Sequence, residues 1–216
     1  MGFSLFGRKP TAPDTGYAKR LESLKTEFSG DCITRKNGTL LLCPGKIPKC
    51  RHMLFVGLSD KLIKEFLADG YKNKFPEDYR QFLRYTNGAE LFWTRRTTAN
   101  GVPFAKSMLS FYGLPRTQPF GRPNDEEEPF DLRVEDLARH AEIPAAWLKC
   151  GSYYGEPSSK VLIDIFIDTE SGKVYACNKN ESAVLDTWDS FDECFGSIFD
   201  SLAACPPEKF IEGLNG

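Results

Sequence analysis

The chain has 216 residues, 41% of them hydrophobic and 27% charged, with 28 Lys+Arg against 30 Asp+Glu for a formal net charge of -2. This composition excludes a disordered, fibrous or membrane-spanning chain, and the length suffices for one or two domains with a real core. The near-zero charge argues against a dedicated nucleic-acid binder, which needs a strongly basic surface.

Residues 1–16, rich in Gly, Pro and Thr, read as a loose tail with no apolar stretch of signal-peptide length. Position 6 is Phe where a myristoylation motif wants Ser or Thr. Tyr17, Leu21, Leu24 and Phe28 then recur at helical spacing, with Gly30 as a stop. Asn37-Gly38, between Ile33-Thr34 and Leu40–Leu42, predicts a hairpin with a tight primed turn. Ser59 caps a predicted helix carrying Leu62, Ile63, Phe66 and Leu67, which stops at Gly70. A second helix opens at Pro76, where a missing N–H costs nothing and Glu77 and Asp78 suit the dipole. Its apolar stripe is Tyr79, Phe82 and Leu83, and Asn87-Gly88 is expected to end it.

Strand-like pieces follow at Leu91–Trp93 and Met108–Tyr112, then a polar loop over 115–130 and a short helix over Val134–His140. Trp147-Leu148 lead into another strand, and Val161–Asp168 with Lys173–Cys177 make a hairpin around Glu170-Ser171-Gly172. The last helix is the clearest: Phe191, Cys194, Phe195, Ile198, Phe199 and Leu202 repeat at steps of three and four, and Ser190 with Glu193 forms a capping box. Helices first, then strands, then a terminal helix give an α+β fold with a mainly antiparallel sheet.

The charge is unevenly spread. Residues 1–60 hold 10 bases and 5 acids, whereas residues 61–216 hold 18 and 25. The stretch from Glu181 to Asp200 has six acids and no base. It reads either as a solvated polar face or as an acidic surface for a basic partner. The seven cysteines are odd in number in a chain too large to need disulfide staples, and the expectation is a reduced, cytoplasmic protein.

Little points to catalysis. Histidine is limited to His52 and His140, and neither has surroundings that suggest a nucleophile–base pair. Asp164 and Asp168 share one face of a strand about 13 Å apart, too far for the carboxylate pair of a glycosidase. The one candidate metal set is Cys32, Cys43, Cys50 and His52, zinc ligands by chemistry but not by spacing, against small buried thiols as the alternative. No metal and no cofactor is expected.

The run Phe75-Pro76-Glu77-Asp78-Tyr79-Arg80-Gln81-Phe82-Leu83-Arg84-Tyr85-Thr86-Asn87-Gly88 resembles the opening signature of the SUKH superfamily, the Smi/Knr-type domain. Phe75 stands where Leu is usual. Later pieces agree in order. They are Phe111-Tyr112-Gly113, Pro144 to Gly151, Tyr154-Gly155, Asp168-Thr169-Glu170-Ser171-Gly172-Lys173-Val174-Tyr175, and Ser190-Phe191-Asp192-Glu193-Cys194-Phe195. The resemblance covers residues 59–204. It leaves 1–58 as an N-terminal extension of tail, helix and hairpin, and 205–216 as a C-terminal tail.

The resemblance implies the Smi/Knr-like fold, a twisted, mainly antiparallel sheet packed with helices. It also implies a non-enzymatic domain that binds proteins. Bacterial members of the family are implied to be immunity proteins that neutralise polymorphic toxins, often nucleases, and fungal members are implied to be regulators linked to the cell wall. No catalytic residue set transfers. An immunity role would place partner contacts on Asp186, Asp189, Asp192 and Glu193 and on the loop Asp125, Glu126, Glu127 and Glu128, which suit a basic toxin surface. Trp188 beside them is either a binding anchor or a core residue, the second favoured. The remaining alternatives are a regulatory scaffold and a zinc- or thiol-dependent enzyme built on the N-terminal Cys/His group.

Overall fold

The computed structural model describes residues 13–43, 51–68, 75–97, 100–114, 144, 146–157, 159–178 and 183–210. The predicted helix over 134–140, the acidic loop 125–128 and Cys50 lie outside them. The fold is α+β, with nine strands in one antiparallel sheet whose spatial order is their order in the chain. The strands are β1 (Cys32–Thr34), β2 (Leu40–Leu42), β3 (His52–Val56), β4 (Thr86–Thr97), β5 (Pro103–Phe111), β6 (Trp147–Tyr154), β7 (Leu162–Asp168), β8 (Val174–Asn178) and β9 (Val184–Trp188). The helices are α1 (Gly16–Glu27), α2 (Asp60–Ala68), α3 (Glu77–Tyr85) and α4 (Phe191–Ala204), and a 3-10 turn follows at Pro207–Phe210.

The N-terminal helix and hairpin are built into this sheet and core. β3 carries β1 and β2 onto β4 through the pairs Met53↔Glu90 and Leu54↔Ala89. The hairpin turn is wider than the expected two-residue loop. Gly38 alone takes a positive φ, of 88°, and the Asn37 side chain instead accepts from the Thr39 amide at 2.9 Å. The 3-10 turn is also docked: Phe210 is fully buried, and the Thr94 hydroxyl donates to its carbonyl at 2.6 Å.

One face of the sheet is the core. Leu54, Ala89, Phe111, Gly151, Ile165 and Ala176 stand opposite one another along successive strands, and the helices cover that row. The centre is aromatic. Phe191 lies 4.8 Å from Tyr79, 4.9 Å from Phe82 and 5.0 Å from Phe111, while Tyr17 meets Phe82 edge-on at 5.5 Å. Each such pair adds about 0.5–1.5 kcal/mol beyond area burial. Phe75 is buried against Tyr79, so a ring fills the place where Leu is usual.

Carboxylates fasten the helix ends to each other. Asp78 on α3 accepts from the Phe191 amide at 2.8 Å, closing the N-terminus of α4. Asp192 on α4 accepts from the amides of Gly16 and Tyr17 at 2.9 and 2.6 Å, closing the N-terminus of α1. Amides at a helix start have no partner within the helix, and a carboxylate there also meets the positive end of the dipole. Ser190 caps α4 as predicted, accepting from the Glu193 amide at 3.2 Å, while the Glu193 carboxylate reaches one residue past the cap and accepts from the Asp189 amide at 3.0 Å.

The structure corrects the role of Asn87-Gly88. α3 ends at Tyr85, and both residues lie inside β4. The Asn87 amide donates to the Leu114 carbonyl at 2.6 Å and accepts from the Leu114 amide at 2.7 Å. Gly88 takes a φ of 99°. Between them passes Gly113, where a Cβ would sit 2.1 Å from the Asn87 carbonyl oxygen, so only glycine fits. The Tyr79 hydroxyl donates to the Tyr112 carbonyl at 2.6 Å and pins the same crossing.

Replacing Asp192 by Ala removes both acceptors at the start of α1. The expected loss is about 1–2 kcal/mol of stability, read from urea unfolding; an unchanged midpoint would show that α1 does not depend on this contact.

Candidate functional site

Two surfaces are left once the core is assembled. The first is the edge at β9. This strand pairs with β8 alone among the described residues, and Val184, Leu185, Asp186 and Thr187 are all exposed along it. Apolar and acidic groups therefore share an open strand edge, a place where added chains pair unless charge discourages them.

The predicted contact residues divide here. Asp186 and Glu193 are exposed. Asp189 is exposed too and forms an ion pair with Lys173 at 3.2 Å. Asp192 is turned inward to cap α1 and is not a free acid. Trp188 is 7% exposed and belongs to the core. The remaining signature positions are structural: Tyr79, Phe82, Leu83 and Phe191 are core, Pro76 starts α3, and Gly172 takes a φ of 79° in the β7–β8 hairpin.

Cys50 of the candidate zinc set lies outside the described residues, and the other three members are not gathered into one site. Cys32 is exposed on β1 while Cys43 is buried. His52 is buried on β3, where its Nδ1 accepts from the Phe92 amide at 3.2 Å and its ring meets Phe28 and Phe92. Among the described residues no group of three or more His, Cys, Asp or Glu is placed to hold a metal ion. Burial pushes the Cys150 and Cys194 thiols up, away from thiolate chemistry.

The second surface is the sheet face away from the helices. Met53, Glu90, Ser110, Ser152 and Asp164 are cross-strand partners in the row that alternates with the core row. Met53, Glu90, Ser110 and Ser152 of this row border a cleft of about 490 Å³ whose other walls include Arg51, Trp93, Lys106, Tyr154 and Leu162. Three cations lie over rings here: Arg51 on Trp93 at 4.4 Å, Lys106 on Tyr154 at 4.9 Å and Lys149 on Tyr112 at 6.0 Å. Lys149 is also paired with Asp164 at 3.0 Å, both side chains being under 10% exposed. On this face Arg51 Nε, Trp93 Nε1 and Asp164 Oδ1 are buried without a hydrogen-bond partner among the described residues.

No local sequence signal marks this cleft, because its walls come from five strands spread between residues 51 and 162. The apolar core of β3 and the polar positions of β5 are legible; their meeting across the sheet is not.

A sequence model of the SMI1/KNR4 family (SUKH-1) matches residues 57–197, well over half of the chain. Neither curated proteins nor solved structures give a significant match. No described helix is long and apolar enough to cross a membrane.

Burial pushes the Glu90 carboxyl up from 4.5 to about 7, against the opposing pull of Arg51. With the folded value raised, the native chain holds this proton more tightly. Its stabilising contribution is complete below about pH 4.5 and is lost as pH rises through about 7. Glu90→Gln therefore gains about 1–3 kcal/mol on the parent between acid pH and about pH 8. Urea unfolding of both proteins across that range measures the gain, and a constant difference would refute the shift.

Proposed function

The chain belongs to the SMI1/KNR4 family (SUKH-1), and from that premise we propose that it is a non-enzymatic domain that binds a protein partner, an immunity protein that neutralises a toxin by direct contact. The observation that carries the reading is the exposed β9 edge, where Val184 and Leu185 are about half exposed beside Asp186 and Asp189. Apolar groups supply contact energy, and acids steer a basic partner towards them. A nuclease toxin holds its substrate on a basic surface, so an acidic edge both speeds encounter and covers that surface.

The family signature itself supports a binding role over catalysis. Its residues are engaged in capping, turn formation and ring packing, and a scaffold of that kind leaves the surface free to vary. The reading places the protein in the cytoplasm, where free thiols such as the exposed Cys32 stay reduced.

Affinity capture from the native cell identifies the partner. The double variant Asp186→Lys/Asp189→Lys is then expected to slow association about tenfold at low salt, with a smaller effect at high salt. Asp192 is left untouched because it caps α1. An unchanged association rate removes the acidic edge as the contact surface, and a captured partner with no toxic activity removes the immunity reading.

A further inference from the structure

The cleft on the helix-free face is lined by no residue of β9. Its walls present two cations, and Glu90, which feels the pull of Arg51, is the acid that lines the cleft with them. Neither Arg51 nor Lys106 takes part in an ion pair among the described residues, although Glu90 lines the same cleft. Arg51 lies over the Trp93 ring, and Lys106 donates to the Tyr154 hydroxyl and lies over that ring. The cations are thus held in place by aromatic faces, which fix position without satisfying charge.

The donors beside them are also idle. Arg51 Nε and Trp93 Nε1 are buried in adjoining side chains, and neither has an acceptor among the described residues. A buried N–H without an acceptor costs about 1–3 kcal/mol. Both residues line one cleft, with the guanidinium carbon 4.4 Å from the indole ring centre, and two such donors call for an acceptor that enters from outside.

We propose that this cleft binds a short-chain aliphatic carboxylic acid, its carboxylate seated on Arg51 and the Trp93 indole N–H. A planar anion with two oxygens matches a guanidinium edge and a neighbouring donor. Trp93, Tyr154 and Tyr112 each already carry a cation over one ring face, which leaves less surface for stacking an aromatic ligand. Met53, Ala105 and Leu162 supply apolar wall for an aliphatic chain instead. The volume of about 490 Å³ is in the range of small-ligand sites.

Sodium valerate is the probe, titrated into the full-length protein labelled with nitrogen-15. The indole N–H signal of Trp93, assigned by its loss in Trp93→Phe, is expected to move saturably downfield. Valeramide, equal in shape but uncharged, is expected to leave it in place. Arg51→Gln is expected to weaken valerate binding about tenfold, with Lys106→Met as a second, milder variant. Equal responses to valerate and valeramide, or no saturable shift, overturn the proposal without recourse to any variant. Tighter binding of inorganic phosphate overturns the ligand class. Tighter binding of the peptide acetyl-Gly-Glu-Gly-amide overturns the free acid in favour of a partner's side chain.

Discussion

Asp78 and Asp192 each close the N-terminus of a helix other than their own, and the ring of Phe191 fills the space between them. This chain of contacts runs from α3 to α4 to α1. Without it, α1 would have only its apolar face and the Arg20–Asp200 pair to hold it against α4. The sheet depends on the same assembly. Its core row needs cover, and the cover consists of helices whose ends are fastened by these two acids. The aromatic cluster then works as a fixed block, because Tyr17, Tyr79, Phe82, Phe111 and Phe191 come from three helices and one strand.

The fold was legible where the signal is local. The Ser190 cap of α4 and its stripe from Phe191 to Leu202 are both present as read. Ser171-Gly172 turns the β7–β8 hairpin as expected, with Asp168 accepting from Ser171 and from the Glu170 amide. Reading failed where a residue serves a distant partner. Asn87-Gly88 has the form of a helix stop, but the Asn87 amide brackets Leu114, 27 positions away, and the chain passes directly from helix into strand. β3 was missed because His52–Val56 is a continuous apolar run, which no period distinguishes from core helix. β9 was missed because Val184–Trp188, with Asp186 in its middle, is a five-residue strand inside an acid-rich stretch.

The candidate sites differ in the same way. The acidic edge was partly visible, since charge clusters in sequence stay clustered on a short strand and the helix after it. Even so, Asp192 looked like surface and is an internal cap, while Trp188 is core. The cleft was invisible. Arg51, Glu90, Lys106 and Ser152 are ordinary surface residues until antiparallel pairing brings their strands side by side. The molecule thus carries two surfaces of unlike character: an exposed, acidic strand edge and a recessed, cation-lined pocket on the sheet's free face.

The meander has a consequence for how the chain is made. Each strand pairs with the one before it, so the sheet can be laid down in order as residues leave the ribosome, with only short loops to close where the turns are tight. The helical cover does not follow that order. The contact of Gly16 with Asp192 spans 176 positions, so α1 is synthesised first and docks last. Until α4 emerges, Tyr17, Phe82 and Phe111 lack the Phe191 ring they close around. The nascent chain therefore carries an uncovered aromatic face through most of its synthesis, the condition in which chaperones engage and premature termination leads to aggregation.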